Sequence, residues 1–254
     1  FRVDVRLCDV DKQFYLDYID WLRSSCKTAW GKPVSPKTAH SYYTTLRTAL
    51  NEAVRENLIA SNPWYRLEMT EKIKVPESKR DFLTIEEIKR MMATPFFNEQ
   101  VRQAYLFSCF CGLRISDIRK LRWRDLSMSG GQWRASVVMT KTIHPVYIPL
   151  SSQAVKWLPE RGDCTPDGLV FGGLPNEGNL CVNLKNWAEK AGVKKNVTFH
   201  TARHSCAVLL LTLGADIYTV SKILGHRSVR STQVYAKIVD KKKDDAIALV
   251  DNAF

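Results

Sequence analysis

The sequence lacks the long apolar runs that would place a chain in a membrane, and its opening residues do not predict a secretory leader. No apolar stretch approaches the roughly 20 residues that a bilayer-spanning helix needs. The opening segment, FRVDVRLCDV, alternates charged and apolar residues and does not have the pattern of a signal peptide. Because the chain starts at Phe1 and not at Met, we expect it to be part of a longer protein.

The seven cysteines include no Cys-x-x-Cys pair, which argues against a zinc or thioredoxin-like motif. Cys109 and Cys111 are too close in sequence for an ordinary disulfide and lie in an apolar stretch. They are therefore predicted to be buried free thiols in a reducing compartment, the cytoplasm.

Acidic residues are outnumbered, since the formal net charge is +12 and the isoelectric point is about 9.4. Most of the positive excess lies after residue 76. Lysine and arginine displace condensed counterions from phosphates, so this balance favours a nucleic-acid partner over a membrane surface. A merely basic globular protein is the alternative on charge alone.

The first third of the chain has helical periodicity. One helix is predicted in DKQFYLDYIDWLRSSC, and Ser35 with Pro36 forms a cap and first-turn pair that opens a second, which Asn62-Pro63 should stop. Lys37, Tyr42 and Arg47 interleave charge and aromatic rings on this helix, as expected of a surface that grips duplex DNA. A solvated charged face of a helical domain explains them equally well.

The charged segment EKIKVPESKRDF has no periodicity, and we predict an interdomain linker at residues 76–81, between domains at 1–75 and 82–254. A capping box at Thr84 and Glu87 starts the second domain. Residues 131–150 change to strand-like patterning and predict a β-hairpin. The remainder returns to helices, ending with DDAIALVDNAF.

The segment HTARH combines two possible kinds of site. His200 and His204 have the spacing of a helical metal clip, but Thr201 stands where zinc peptidases of the HExxH type carry their glutamate. His200 and Arg203 have the spacing at which two donors face one anion. We therefore favour a phosphate clamp over a metal site, with His204 turned into the domain as a hydrogen-bonded helper.

Three further segments are weak signals when taken singly. Arg114 follows a helix-ending glycine and can point towards a phosphate, with Asp117 close enough to orient it, although a structural Arg–Asp pair is the simpler explanation. Lys141 lies near the predicted hairpin turn, where lysines are common. His226 follows a helix-ending glycine, and Tyr235 lies nine residues later.

Together these positions resemble the tyrosine recombinase (phage integrase) family, whose pattern is Arg, Lys, His-x-x-Arg, His or Trp, and Tyr. The segments that match are GLRISD, the TKT hairpin followed by VYIPL, HTARHS, LGHRS and VYAKI. All six family positions are filled, and Asp117 stands where many members carry Glu. The resemblance covers residues 82–240 and, more loosely, the helical region before them. The filled positions are Arg114, Lys141, His200, Arg203, His226 and Tyr235.

The resemblance implies a mainly helical fold with a small β-sheet or hairpin: a helical core-binding domain and a mixed α/β catalytic domain. It also implies site-specific cutting and rejoining of DNA through a 3′-phosphotyrosine on Tyr235, without metal, ATP or another cofactor. Arg114 and Arg203 would bracket the phosphate, with a further hydrogen bond from His226.

In the same pattern, Lys141 would protonate the leaving 5′-oxygen and His200 would accept the proton of Tyr235. Arg227 and Arg230 are further candidates for DNA contacts. A type IB topoisomerase-like activity and a catalytically silent DNA-binding relative remain alternatives.

The resemblance further implies a tetramer on a specific double-stranded DNA site, in which the C-terminal helix of residues 244–254 docks into a neighbouring subunit. The location expected of such a protein is the cytoplasm, in association with the nucleoid and not with a membrane. The motifs are shared by integration, excision, resolution and inversion, so they do not assign one of these tasks.

Overall fold

The computed structural model describes residues 4–75, 80–141 and 143–236, and the chain divides into two compact units, Phe1–Lys79 and Arg80–Phe254. The predicted linker at 76–81 falls largely outside the described residues, so the domain boundaries stay a prediction. The predicted C-terminal helix of residues 244–254 lies entirely outside them. No helix of the described ranges has both the length and the apolarity to cross a membrane.

Unit 1 is helical. Helix α1 (Lys12–Ser24) begins where the Asp11 carboxylate accepts the N–H of Phe14, and helix α2 (Pro36–Arg55) begins where Ser35 accepts the N–H of Thr38. Both starts agree with the sequence, because caps are local signals. A short 3₁₀ helix, Pro63–Arg66, follows. The buried side chains between these elements form one apolar core: Tyr15, Ile19, Leu22, Cys26, Ala39, Tyr43, Leu50 and Leu67.

The end of α2 differs from the prediction. The helix ends at Arg55, well before the Asn62-Pro63 pair that the sequence indicated as its stop. Asn57 takes a left-handed conformation with φ 59°, which asparagine adopts more readily than most residues and which ends the helical path.

Unit 2 contains most of the helices and the only strands among the described residues. Thr84 and Glu87 form the predicted capping box, so that prediction is confirmed. Helices α4 and α8 pack together within the largest apolar core. The helices of this unit are α3 (Ile85–Ala93), α4 (Glu99–Cys111), α5 (Ile115–Ile118), α6 (Ser152–Val155), α7 (Glu177–Lys190), α8 (Phe199–Thr212), α9 (Ile217–Ile223) and α10 (Arg230–Ala236).

The sheet has three antiparallel strands in the order β1 (Leu126–Ser129), β2 (Gln132–Met139) and β3 (His144–Pro149). The predicted hairpin corresponds to β2 and β3, whereas β1 was missed because four residues are too short for a clear period. Gly130 and Gly131 both have positive φ, 58° and 75°, as a tight two-residue hairpin turn requires. The mainly helical class with a small sheet is confirmed.

The cysteines are all unpaired. Cys109 and Cys111 are buried on α4, and burial raises the pKa of both thiols well above the ordinary value. They pack as small apolar side chains in the core that supports the site described next.

Candidate active site

The GLRISD segment turns sharply after α4. Gly112 ends that helix with φ 74°, and a Cβ there would lie 2.6 Å from the Leu224 side chain, so only glycine fits. The turn brings Arg114 to the N-terminal end of α5, where its Nη1 lies 4.0 Å from the sulfur of Met139 on β2. Arg114 is therefore positioned between α5 and the sheet.

Arg203 is a buried clamp. Its Nη1 donates to the carbonyl oxygen of Gly112 at 2.7 Å and its Nη2 to that of Leu224 at 2.6 Å. The side chain is only 3% exposed, and burial together with the charge of Arg114 lowers its pKa to about 10. Arg203 still carries its charge at pH 7. The Arg203 guanidinium thus joins the GLRISD and LGHRS loops and lies close to the Arg114 guanidinium.

The LGHRS loop packs directly on the sheet. Gly225 has φ 61°, and a Cβ there would lie 2.8 Å from Val146 and 3.2 Å from Met139. The next residue, His226, pairs its Nδ1 with the hydroxyl of Thr232 at 2.8 Å. This contact fixes the orientation of the imidazole against the segment that leads to Tyr235.

Asp117 supports the hairpin turn. Its Oδ1 accepts the backbone N–H of Thr140 at 2.8 Å, while its buried Oδ2 has no hydrogen-bond partner among the described residues. The predicted contact between Asp117 and Arg114 is absent from the hydrogen bonds and ion pairs of these residues. Lys141 follows Thr140 and is exposed in the turn between β2 and β3. Asp117 therefore anchors the strand end that carries Lys141.

Tyr235 is 1% exposed near the end of α10, and its phenol oxygen has two partners. His204 Nδ1 lies 2.5 Å from it, and Arg80 Nη1 donates to it at 3.3 Å. The sequence predicted His200 as the group that accepts the phenol proton, but His204 makes the contact. The rings of His200 and His204 are 6.1 Å apart.

The imidazoles of the site are held neutral. Burial, followed by the charge of Arg80, lowers the pKa of His204 to about 4. Burial and the charges of Arg203 and Arg114 lower the pKa of His226 to about 4. The pKa of His200 is lowered by burial and by four cations, Lys141 among them. At pH 7 each ring therefore has one nitrogen free to accept a hydrogen bond or a proton.

The six motif residues and His204 therefore lie close enough together for their charges to influence one another. Sequence reasoning missed Arg80 and Thr232, since a single arginine in a charged segment and a threonine in a polar helix carry no signal of their own. Among the described residues, no group of three or more His, Cys, Asp or Glu side chains has the arrangement of a metal site.

The candidate DNA-contact residues are surface residues with one exception. Lys37 and Tyr42 are exposed on α2. Arg227 is exposed before the start of α10, and Arg230 is exposed as its first residue. Arg47 is half-buried, with its guanidinium 3.8 Å from the ring centre of Trp64. Their contacts with DNA stay predictions.

Comparison with known proteins identifies the family of the chain. The sequence model of the Phage integrase family matches residues 81–242, and that of the Phage integrase SAM-like domain matches residues 1–74. The chain belongs to the tyrosine recombinase family. A tyrosine recombinase of Pseudothermotoga lettingae is 30% identical over 252 residues, which cover 96% of this chain and 84% of the relative.

Other recombinases are similar along most of their length. The tyrosine recombinase XerD of Pseudomonas putida is 26% identical, over 92% of this chain and 80% of its own. The XerH recombinase in a post-cleavage complex with a palindromic difH substrate has a TM-score of 0.72 at 18% identity, covering 96% of this chain and 74% of that one. A lambda integrase dimer bound to a COC′ core site has a TM-score of 0.65 at 20% identity, covering 92% and 82%. These two structures show the recombinase fold.

Proposed function

We propose that this recombinase cuts DNA by attack of Tyr235 Oη on a phosphodiester. The Oη–P bond forms as the P–O5′ bond breaks, which leaves a 3′-phosphotyrosine and a free 5′-hydroxyl. The new ester keeps the energy of the broken linkage, so rejoining to another strand needs no nucleotide. The observation that carries the proposal is the contact of the Tyr235 phenol with a neutral imidazole inside a cluster of cations.

The reaction has two electrostatic costs: the phenol must lose its proton, and negative charge develops on the phosphate oxygens. The cations of the site oppose both costs. A phenol with an ordinary pKa of about 10 costs about 4 kcal/mol to ionise at pH 7. A fixed donor aimed at a developing oxyanion contributes about 3 kcal/mol. We assign Arg114 and Arg203 to the non-bridging oxygens, with hydrogen bonds from His200 and His226. HTARH is then a phosphate clamp and not a metal clip.

The proposed substrate is double-stranded DNA at a specific recombination site, since the relatives described above include complexes with such sites. We favour strand exchange over topoisomerase-like relaxation because the curated relatives are named tyrosine recombinases. A tetramer on DNA with residues 244–254 docked in a neighbouring subunit, and a nucleoid-associated cytoplasmic location, are the assembly and location that this activity predicts.

Covalent trapping tests the proposal. A nicked suicide substrate, which loses the short 5′-hydroxyl strand on cleavage, should accumulate a protein–DNA adduct in excess EDTA. Peptide mapping of the adduct should place the nucleotide remnant on Tyr235. An adduct on another tyrosine, or a strict requirement for a divalent metal, would contradict the proposed chemistry. The sequence of the suicide substrate is taken from the mobile element or chromosome that carries the gene for this chain.

Lys141 is the proposed general acid, because it is exposed on a turn that Asp117 anchors beside the cluster. Lys141→Ala should cleave ordinary DNA about 100-fold more slowly, within the range of general-acid contributions. A substrate with sulfur at the 5′-bridging position should restore the rate, because a thiolate leaves without a proton. Arg114→Ala is the control that this substrate should not rescue. Equal failure of Lys141→Ala on both substrates would remove the assignment.

A further inference from the structure

Arg80 contacts the attacking oxygen although it belongs to none of the motifs. Its Nη1 donates to Tyr235 Oη at 3.3 Å, and its guanidinium carbon lies 5.7 Å from the centre of the same ring. The side chain is half-buried. Arg80 precedes helix α3 in the same compact unit as the other site residues.

The backbone after Arg80 is fastened to the catalytic helix. The N–H of Leu83 donates to the hydroxyl of Ser205 at 2.7 Å, and Ser205 is the neighbour of His204 on α8. Lys195 Nζ donates to the carbonyl oxygen of Phe82 at 2.8 Å. The segment that carries Arg80 is therefore tied to the helix that carries His204, so both partners of the phenol have fixed supports.

The two partners of the phenol oxygen have opposite hydrogen-bonding roles. A phenol donates one hydrogen bond and accepts others, while a guanidinium only donates. The neutral His204 offers a lone pair at Nδ1 when its proton lies on Nε2. The arrangement that satisfies both contacts has the phenol proton directed at His204 and an Arg80 N–H directed at the oxygen lone pair.

We propose that Arg80 is a further catalytic residue, which stabilises the Tyr235 phenolate as His204 accepts the phenol proton. The O–H bond of Tyr235 breaks, an N–H bond forms at His204 Nδ1, and the oxygen pair forms the bond to phosphorus. The 5′-oxygen leaves with a proton from Lys141. This step rests on the proposed function and adds to it a proton acceptor and a cation that the motifs do not supply.

The charges around His204 make the effect of Arg80 measurable as a change in pH dependence. The groups that face this imidazole are Arg80, His200, Arg203 and Tyr235. Burial is the main cause of the low pKa of His204 and the positive charge of Arg80 is the next, so removal of Arg80 raises that pKa while burial still holds it below the ordinary value of about 6.5. Since cleavage needs neutral His204, the acid limb of the rate profile should move to higher pH when Arg80 is removed.

The test is single-turnover adduct formation on the suicide substrate, with the protein prebound, from about pH 5 to about pH 9, a span that includes the ordinary histidine pKa. Arg80→Gln should lower the rate at pH 7 by about 100-fold, as for loss of one oxyanion donor. It should also move the acid limb to higher pH than in the wild type. Arg80→Lys keeps the charge, so it should return the acid limb to its wild-type position while restoring only part of the rate. Arg90→Gln removes an equivalent charge from an exposed position on α3 and should change neither.

Each other outcome overturns the inference. An Arg80→Gln rate equal to that of Arg90→Gln would mean that Arg80 only packs on the ring, and a faster rate would mean that it holds Tyr235 in an idle position. A rate loss without a shift of the acid limb would assign Arg80 to packing or DNA contact. If Arg80→Gln does not fold by circular dichroism, Arg80→Met takes its place, and a wild-type rate and pH profile in that variant would refute the inference. In all these cases the wild-type adduct on Tyr235 still reports separately on the proposed function.

Discussion

Tyr235→Phe is expected to abolish the covalent adduct on the suicide substrate while leaving DNA affinity unchanged. The ring is 1% exposed, so Phe keeps its packing and removes only the oxygen. The nucleophile disappears, and His204 Nδ1 and Arg80 lose the partner that they share. The hydrogen-bond loss should cost about 1 kcal/mol of unfolding free energy. Gel shifts on the intact site measure affinity, and denaturing gels measure the adduct.

The matched control is Tyr218→Phe, the same chemical change at an exposed position on α9. Tyr218 is 58% exposed, and its ring faces Lys222 at 5.1 Å and not the catalytic cluster. This variant should form the adduct at the wild-type rate. Persistence of the adduct in Tyr235→Phe, or its loss in Tyr218→Phe, would reassign the nucleophile and with it the geometry on which the proposed function rests.

The predictable part of this fold follows from local chemistry. The starts of α2 and α3 were visible because Ser35 and Thr84 place a side-chain oxygen next to backbone N–H groups a few residues away. The end of α2 was not visible, because it depends on Asn57 entering a left-handed conformation that its sequence neighbours permit but do not require. Strand β1 depends on pairing with β2, a tertiary contact that four residues do not encode.

The same division applies to the site. Motif spacing identified the residue types and their order, because that order follows from the elements that bear them. The partner of each side chain was less predictable: Asp117 accepts from Thr140 instead of Arg114, and His204 instead of His200 contacts Tyr235. These partners are chosen by how separate elements pack. Arg80 was the least predictable of these residues, because its contact with Tyr235 joins positions more than a hundred residues apart.

Arg203 connects the stability of the site with its proposed chemistry. It satisfies two carbonyl oxygens with one planar group, which holds the GLRISD and LGHRS loops at a fixed separation. Lysine carries all its donors on one nitrogen and does not reproduce the planar, two-nitrogen contact of the guanidinium. The clamp therefore holds the loops that carry Arg114 and His226 in place before DNA binds, and in the proposed chemistry such preorganised donors need no rearrangement during reaction.

Arg203→Lys should lower the rate of adduct formation by about 100- to 1000-fold, the range for losing an oxyanion donor. It should also lower the unfolding free energy by roughly 1–3 kcal/mol, because one buried carbonyl oxygen loses its partner. Arg119→Lys is the matched control, since Arg119 likewise donates to the carbonyls of Leu174 and Pro175 but lies outside the motif cluster. The control should lose stability by thermal melting and keep its cleavage rate in the folded fraction. Equal rate losses in the two variants would mean that Arg203 acts only as a clamp and that the phosphate is held by other groups.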